Sequence, residues 1–154
     1  AAIMANRGWY YTPHFVKKLN GDGPKEEYLV KHQTMVERRH FTPVIEGMRR
    51  VVYEAGGTAR RARVEGVEVC GKTGTVENYR GQLKLRNHSV FIAFAPMDNP
   101  KIALSVFIEN AGGGGGTWAA PVASLMIEQY IYGEVKPSPK EQRILDAILL
   151  KKER

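Results

Sequence analysis

The chain has 154 residues, 43% of them hydrophobic and 25% charged, which is the composition of one ordinary globular unit with a real core. It contains no run of about 18 apolar residues, so it presents no membrane-spanning helix. The formal net charge is +7. A nucleic-acid partner would explain that charge, but the basic residues are scattered. The densest groups are Arg49-Arg50, Arg60-Arg61-Arg63 and the tail Lys151-Lys152-Glu153-Arg154. No aromatic residues alternate with them in a stacking pattern. A solvated basic face is the simpler expectation, and a face near anionic lipid or an anionic cell-wall polymer fits equally well.

In chain order, "AAIMAN" reads as the end of a helix, with Gly8 where a helix C-terminus prefers glycine. "WYYTPHFVKKL" and "EEYLVKHQ" read as extended segments around the turn-rich "NGDGP", a peripheral hairpin. "FTPVIEGMRRVVYEAGG" is the best-marked helix. Thr42 is the expected cap and Pro43 the first helical residue. Val44, Ile45, Met48, Val51, Val52 and Ala55 form its expected apolar stripe, and Gly56-Gly57 its stop. "TARRARVEG" is a polar connector.

Three strands are expected next. The first is "VEVCGKTGT". "SVFIAFA" (89–95) and "IALSVFI" (102–108) are apolar on both faces, as in a sheet covered on both sides. "PMDNP" makes the second and third antiparallel neighbours, and "VENYRGQLKLRNH" is a polar loop between the first and second. "NAGGGGG" is expected to be a flexible connector. A helix then starts between Thr117 and Pro121, with Val122, Leu125, Met126 and Tyr130 as its apolar stripe and Gly133 as its stop. Ser138, Pro139 and Glu141 begin a last helix as a capping box, with Ile144, Leu145, Ile148 and Leu149 as its buried face. The expected fold class is α+β, an antiparallel sheet packed with helices. The expected division is 1–133 as the main unit and 134–154 as a helical tail.

The chemistry concentrates at Gly66–Thr75, "GVEVCGKTGT". Gly66 to Thr73 satisfy the phosphate-binding pattern G-x-x-x-x-G-K-[ST]. That loop needs a buried strand before it and a helix starting at the Lys-Ser/Thr. "ARRARVE" precedes it, Val-Glu-Val-Cys favours an extended chain, and Gly74-Thr75-Val76 is poor material for a first helical turn. The second pattern is the Lys-Thr-Gly of serine-acyl enzymes. Held on a strand, Lys72 brings a positive charge beside a serine nucleophile or a substrate carboxylate. The Thr73 hydroxyl can bond that carboxylate. Gly74, without a Cβ, lets a peptide lie close along the strand. The Thr75 amide is placed to donate to an oxyanion. Lys72 and Thr75 are thus the catalytic candidates, and Thr73 and Gly74 the substrate-binding ones.

Three letters alone are a weak signal. Around them, "MANRGWYYTPHFV", "GMRRVVYEAGGTA", "CGKTGTVE", "FIAFAPMDNPKIALSVFIENAGGG" and "AAPVA" stand in a specific order. From about Ala5 to Ile131 the chain resembles the C-terminal half of the transpeptidase domain of class B penicillin-binding proteins, nearest to the elongation (penicillin-binding protein 2) type. The resemblance implies the penicillin-binding, serine β-lactamase-like fold. It also implies a peptidoglycan D,D-transpeptidase, in which a serine attacks the D-Ala-D-Ala end of a stem peptide and passes the acyl group to a neighbouring amine. The implied ligands are the stem peptide and β-lactam antibiotics. The implied partners are other cell-elongation proteins, without nucleic acid. The implied place is the extracytoplasmic face of the bacterial cytoplasmic membrane, the parent protein being anchored by an upstream helix. No cofactor or metal is implied.

One departure matters. The family needs Ser-x-x-Lys and Ser-x-Asn, and none of Ser89, Ser105, Ser124 and Ser138 begins either motif. The chain also opens at "AAIMANRG" without an initiator Met and without a secretory signal. It is expected to be a fragment that cannot acylate by itself. A P-loop nucleotide-binding protein, a basic nucleic-acid-binding module and a parent protein that only senses β-lactams are the other readings. Cys70 is expected to be a small buried apolar residue. His14, His32, His40 and His88 have no metal-ligand spacing and are expected at the surface or in turns. Asn78, Tyr79 and Arg80 are expected in a cleft-side loop within reach of substrate. The glycine run could be a phosphate nest, but a loop between the last strand and the next helix is the simpler expectation.

Overall fold

The computed structural model describes residues 1–16, 18 and 21–147. Strand residues with β-branched and aromatic side chains dominate the centre of the chain, and they build one three-stranded sheet. Its strands are β3 (Cys70–Val76), β6 (His88–Ala95) and β7 (Ile102–Ile108), in the order β3-β6-β7, all antiparallel. Gly74 pairs with Val90 and Thr73 with Phe91, while Phe91 pairs in turn with Val106. β3 is therefore an edge strand, and its motif lies opposite the most apolar part of β6.

Side chains alternate across the sheet, so two cores form. On one face, Phe91, Ala93, Leu104 and Val106 pack under α3 (Ala119–Tyr132) and the segment 59–69. On the other, Cys70 and Phe94 pack under α1 (Ala2–Asn6) and α2 (Phe41–Tyr53) through Ala5, Phe41, Ile45 and Met48. α1 ends with Arg7 left-handed at φ 58° and Gly8 at φ 116°, where the Gly8 amide donates to the Ile3 carbonyl. β1 (Trp9–Tyr11) and β2 (Lys31–Gln33) form the expected hairpin, but only three residues pair on each side. Glu26–Tyr28 is a 3₁₀ turn. Among the described residues no helix is long and apolar enough to cross a membrane.

Several expectations are corrected. α2 starts at Phe41, so Thr42 lies in its first turn and His40 takes the cap position without a side-chain hydrogen bond. Its buried face is Phe41, Ile45, Met48 and Val52, while Val44 and Ala55 are exposed. The helix ends at Tyr53, where the Arg63 guanidinium donates to the carbonyls of Val52 and Tyr53. β6 is covered on both sides, but β7 is not: Leu104 and Val106 are buried while Ala103, Ser105 and Phe107 are exposed. α2 lies over β3, so that layer leaves this face of β7 open. α3 buries Ala119, Ala120, Ala123, Ser124 and Ile127, while of the stripe expected Val122 and Leu125 are only half-buried, Val122 against the core. Small residues let the helix lie close to the sheet, and Met126 and Tyr130 face outward. The loop 77–87 contains a small hairpin, β4 (Tyr79–Arg80) and β5 (Leu83–Lys84), turned at Gly81 with φ 63°.

α4 (Pro139–Leu145) is capped as expected, the Ser138 hydroxyl accepting from the Glu141 amide at 3.2 Å. Arg143 donates to the Thr117 carbonyl at 3.1 Å and lies over the Trp118 ring, tying α4 to the start of α3. Ile144 is half-buried and Leu145 exposed. Ile148, Leu149 and the basic tail 151–154 lie outside the described residues.

Phe91→Ala removes a fully buried ring from the larger core and is expected to cost about 3–5 kcal/mol, read by urea denaturation. Cys70 is wholly buried, and that burial pushes its thiol up from 9.0 to about 12. The folded chain keeps the thiol protonated where the unfolded chain ionises it. Its share of stability is therefore constant below pH 9 and falls as pH rises from about 9 to 12. Cys70→Ala is expected to flatten the pH dependence of unfolding in that window.

Candidate active site

β3 enters the sheet from a segment pinned to α2. The Tyr53 hydroxyl donates to the Val67 carbonyl at 2.9 Å and accepts from the Val69 amide at 3.0 Å. Burial of the phenol pushes its pKa up, so this two-sided bond stays intact over the neutral range. Cys70 and Gly71 are buried, and exposure rises along the strand from Lys72 onward. Lys72 and Thr73 sit in mid-strand and no helix follows them. Phosphate-loop geometry, which requires a helix to begin at that lysine, is absent.

Alternation sends Lys72 to one face of β3 and Thr73 and Thr75 to the other. Lys72 faces a groove of about 470 Å³ between β3 and the end of α2, bounded among others by Gly47, Val51, Glu54 and Thr58. Its ammonium donates to the Thr73 carbonyl at 2.9 Å. Among the described residues no carboxylate pairs with it, because Glu54, in the same groove, is taken by Arg50. The charge of Lys72 is thus positioned but not neutralised. On the opposite face, the hydroxyls of Thr73 and Thr58 meet at 2.9 Å.

The glycine run is where expectation fails most. It is not a slack connector but a tight cover over the motif. The Gly115 amide donates to the Gly74 carbonyl at 3.1 Å. A Cβ on Gly115 would lie 2.0 Å from the Val90 carbonyl oxygen, and one on Gly116 would lie 1.9 Å from that of Thr58. Only glycine permits two backbones to approach so closely. Ser89, fully buried and paired with Thr75, fastens the cover. Its hydroxyl donates to the Gly114 carbonyl at 3.0 Å and accepts from the Ala119 amide at 3.1 Å, the first residue of α3.

Beyond the motif, Asn78 donates to the Asn110 side-chain oxygen at 2.7 Å, which fixes the base of the β4–β5 hairpin against the end of β7. Asn110 is left-handed at φ 50°, and its amide donates to His88 Nδ1 at 3.0 Å. Tyr79 bonds Glu77, and Arg80 is exposed. The four histidines lie outside the buried core, and among the described residues no three of His, Cys, Asp and Glu converge as metal ligands. Of the basic groups, Arg49 bonds Glu46 and Glu68, and Arg50 bonds Glu54. That pair of arginines is an ion-paired helix surface and not a free cationic stripe. Sequence reasoning missed Tyr53, Thr58 and Ser89 as members of the site. Each acts across a distance in the chain, and none carries a spacing signal.

The family model described as the penicillin binding protein transpeptidase domain matches residues 1–128. The chain is 35% identical over 144 residues to the peptidoglycan D,D-transpeptidase MrdA of Haemophilus influenzae, covering 84% of this chain and 22% of that protein. The crystal structure of Pseudomonas aeruginosa PBP2 in complex with WCK 5153 is 31% identical with a TM-score of 0.65, covering 87% of this chain and 29% of that one. Penicillin-binding protein A from M. tuberculosis, solved as a ceftriaxone acyl-enzyme complex, is 30% identical at the same TM-score of 0.65, covering 84% and 30%. The chain thus spans about a fifth of the curated relative's length.

Gly115→Ala forces apart the glycine cover and the Gly74–Val90 ladder. It is expected to cost about 1–3 kcal/mol in chemical denaturation, as overpacking does. Ser89→Ala leaves the buried Ala119 amide without its acceptor, while the Gly114 carbonyl keeps the Thr117 amide, and is expected to fall in the same range.

Proposed function

The chain belongs to the penicillin-binding protein transpeptidase family, and from that premise we propose that it forms the Lys-Thr-Gly side of a peptidoglycan D,D-transpeptidase cleft. One observation carries the proposal: Lys72-Thr73-Gly74-Thr75 lies on an edge strand whose lysine is unpaired by any carboxylate among the described residues. An edge strand offers backbone groups to an incoming peptide, and an ammonium without a carboxylate partner offers charge to its reacting end.

In this mechanism a serine Oγ attacks the carbonyl of the penultimate D-alanine, and the last D-alanine leaves as an amine after gaining a proton. The acyl group then passes to an amine of a second stem peptide. Lys72 supplies positive charge beside the serine and assists proton movement. The Thr73 hydroxyl binds the peptide carboxylate, and Gly74 leaves room for the peptide backbone. The Thr75 amide is one donor to the oxyanion, a role worth about 2.7–4 kcal/mol of transition-state stabilisation. A β-lactam occupies the same cleft and traps the acyl-enzyme, as the ceftriaxone complex of the mycobacterial relative illustrates for that protein. Nucleophile and general base would come from Ser-x-x-Lys and Ser-x-Asn segments, neither of which occurs in this chain. The setting proposed is the extracytoplasmic face of the bacterial cytoplasmic membrane, alongside other cell-elongation proteins.

The chain alone, exposed to labelled penicillin, is expected to show no adduct by mass spectrometry; a stoichiometric adduct would overturn the division of roles. When the chain is joined to Ser-x-x-Lys and Ser-x-Asn segments of the family, acylation is expected, and Lys72→Ala is expected to slow it on the order of 10²-fold or more. Unchanged acylation in that variant would remove Lys72 from the mechanism.

A further inference from the structure

Across Thr58 from the Lys72 groove lies a second cavity of about 410 Å³, lined by Gly57, Thr58, Arg60, Arg61, Arg63 and Gly116. None of the six is acidic. The Arg63 guanidinium is held by the carbonyls of Val52 at 2.9 Å and Tyr53 at 2.6 Å. Arg60 gives one N–H to the Ala55 carbonyl at 3.2 Å. The Arg61 side chain makes no hydrogen bond or ion pair to any other described residue. Capping the end of α2 accounts for Arg63 and for one donor of Arg60. It gives Arg61 no role, and it does not explain why three cations share one concavity. Like charges gathered in a concave site repel each other and raise the local concentration of anions. The planar guanidinium fork is matched in shape to a carboxylate.

Thr58 joins this cavity to the motif. It lines both the arginine cavity and the Lys72 groove, and its hydroxyl meets that of Thr73 at 2.9 Å. A carboxylate within reach of the Thr73 hydroxyl is therefore at the mouth of the arginine cavity. We infer that this cavity is an anion subsite taking the terminal carboxylate of the peptide on β3. Arg60 and Arg61 are its ligands, Arg63 is a fixed background charge, and Thr58 is the hydroxyl that links it to Thr73. The inference rests on β3 being the peptide strand, and it assigns carboxylate selectivity to residues outside the Lys-Thr-Gly motif.

The test is an NMR titration of the 154-residue chain with N-acetyl-D-alanyl-D-alanine and with its C-terminal amide. The acid is expected to move the amides of both 72–75 and 58–63 and to bind about tenfold more tightly than the amide form, the scale of one charge-assisted contact. Arg61→Gln and Arg60→Gln, both at exposed positions, are expected to remove most of that preference while leaving the amide form's affinity unchanged; Arg60→Gln also moves the amides near Ala55, whose carbonyl it releases. Equal binding of the two forms, or a preference that survives both substitutions, overturns the subsite and leaves the peptide strand standing. No shift at 72–75 with either compound overturns the peptide strand, and the subsite with it.

Discussion

Backbone touching backbone at Gly74 and Gly115 is the constraint on which the site depends. The Gly115 amide bonds the Gly74 carbonyl, and no side chain separates the glycine run from the sheet. Because the run must lie that close, α3 starts directly beside β6, and the Ser89 hydroxyl can bridge Gly114 to Ala119. The same closeness seats Thr75 and Thr73 beneath Gly114 and Gly116. A residue with a Cβ at position 115 would push out the cover, the helix and the strand together.

The edge position of β3 divides the motif between two surroundings. Lys72 looks into a groove shared with α2, and Thr73 looks toward Thr58 and the glycine cover. Charge and hydroxyl thus approach the strand's edge from opposite sides. A peptide added along that edge would meet both, which fits the transpeptidase reading of this family. The ion pairs of Arg49 and Arg50 occupy Glu46, Glu68 and Glu54, the last inside the Lys72 groove, so none of these carboxylates offsets the charge of Lys72. Arg60, Arg61 and Arg63 extend the same sign beyond Thr58.

Much of the fold was legible because its signals are local. Ser138 with Pro139 marks the start of α4, Gly133 at φ 81° marks the end of α3, and the turn before Lys101 makes β6 and β7 partners. The strand assignment of Lys72-Thr73-Gly74 was legible from Val67-Glu68-Val69 before it and Gly74-Thr75-Val76 after it. The failures share a cause. The α3 stripe of Val122, Leu125, Met126 and Tyr130 is the larger apolar set, yet the sheet selects Ala119, Ala120, Ala123 and Ile127. A period of 3.6 defines faces without saying which face has only shallow room. β7 looks apolar on both sides, but cover depends on where α2 lies. Five glycines suggest slack, and the identical composition also serves the closest packing.

By itself the sequence determined where the main helices and the three strands of the central sheet lie, which lysine lies on an edge-forming strand, and which family the order of motifs resembles. Those properties depend on residues near one another in the chain or on their order along it. Tertiary structure alone decided that Thr58 stands against Thr73, that Ser89 clamps a loop 25 residues away, and that the glycine run is a lid. Each is a contact between distant segments whose distance is set by the packing of whole elements. No spacing rule encodes how close two backbones come.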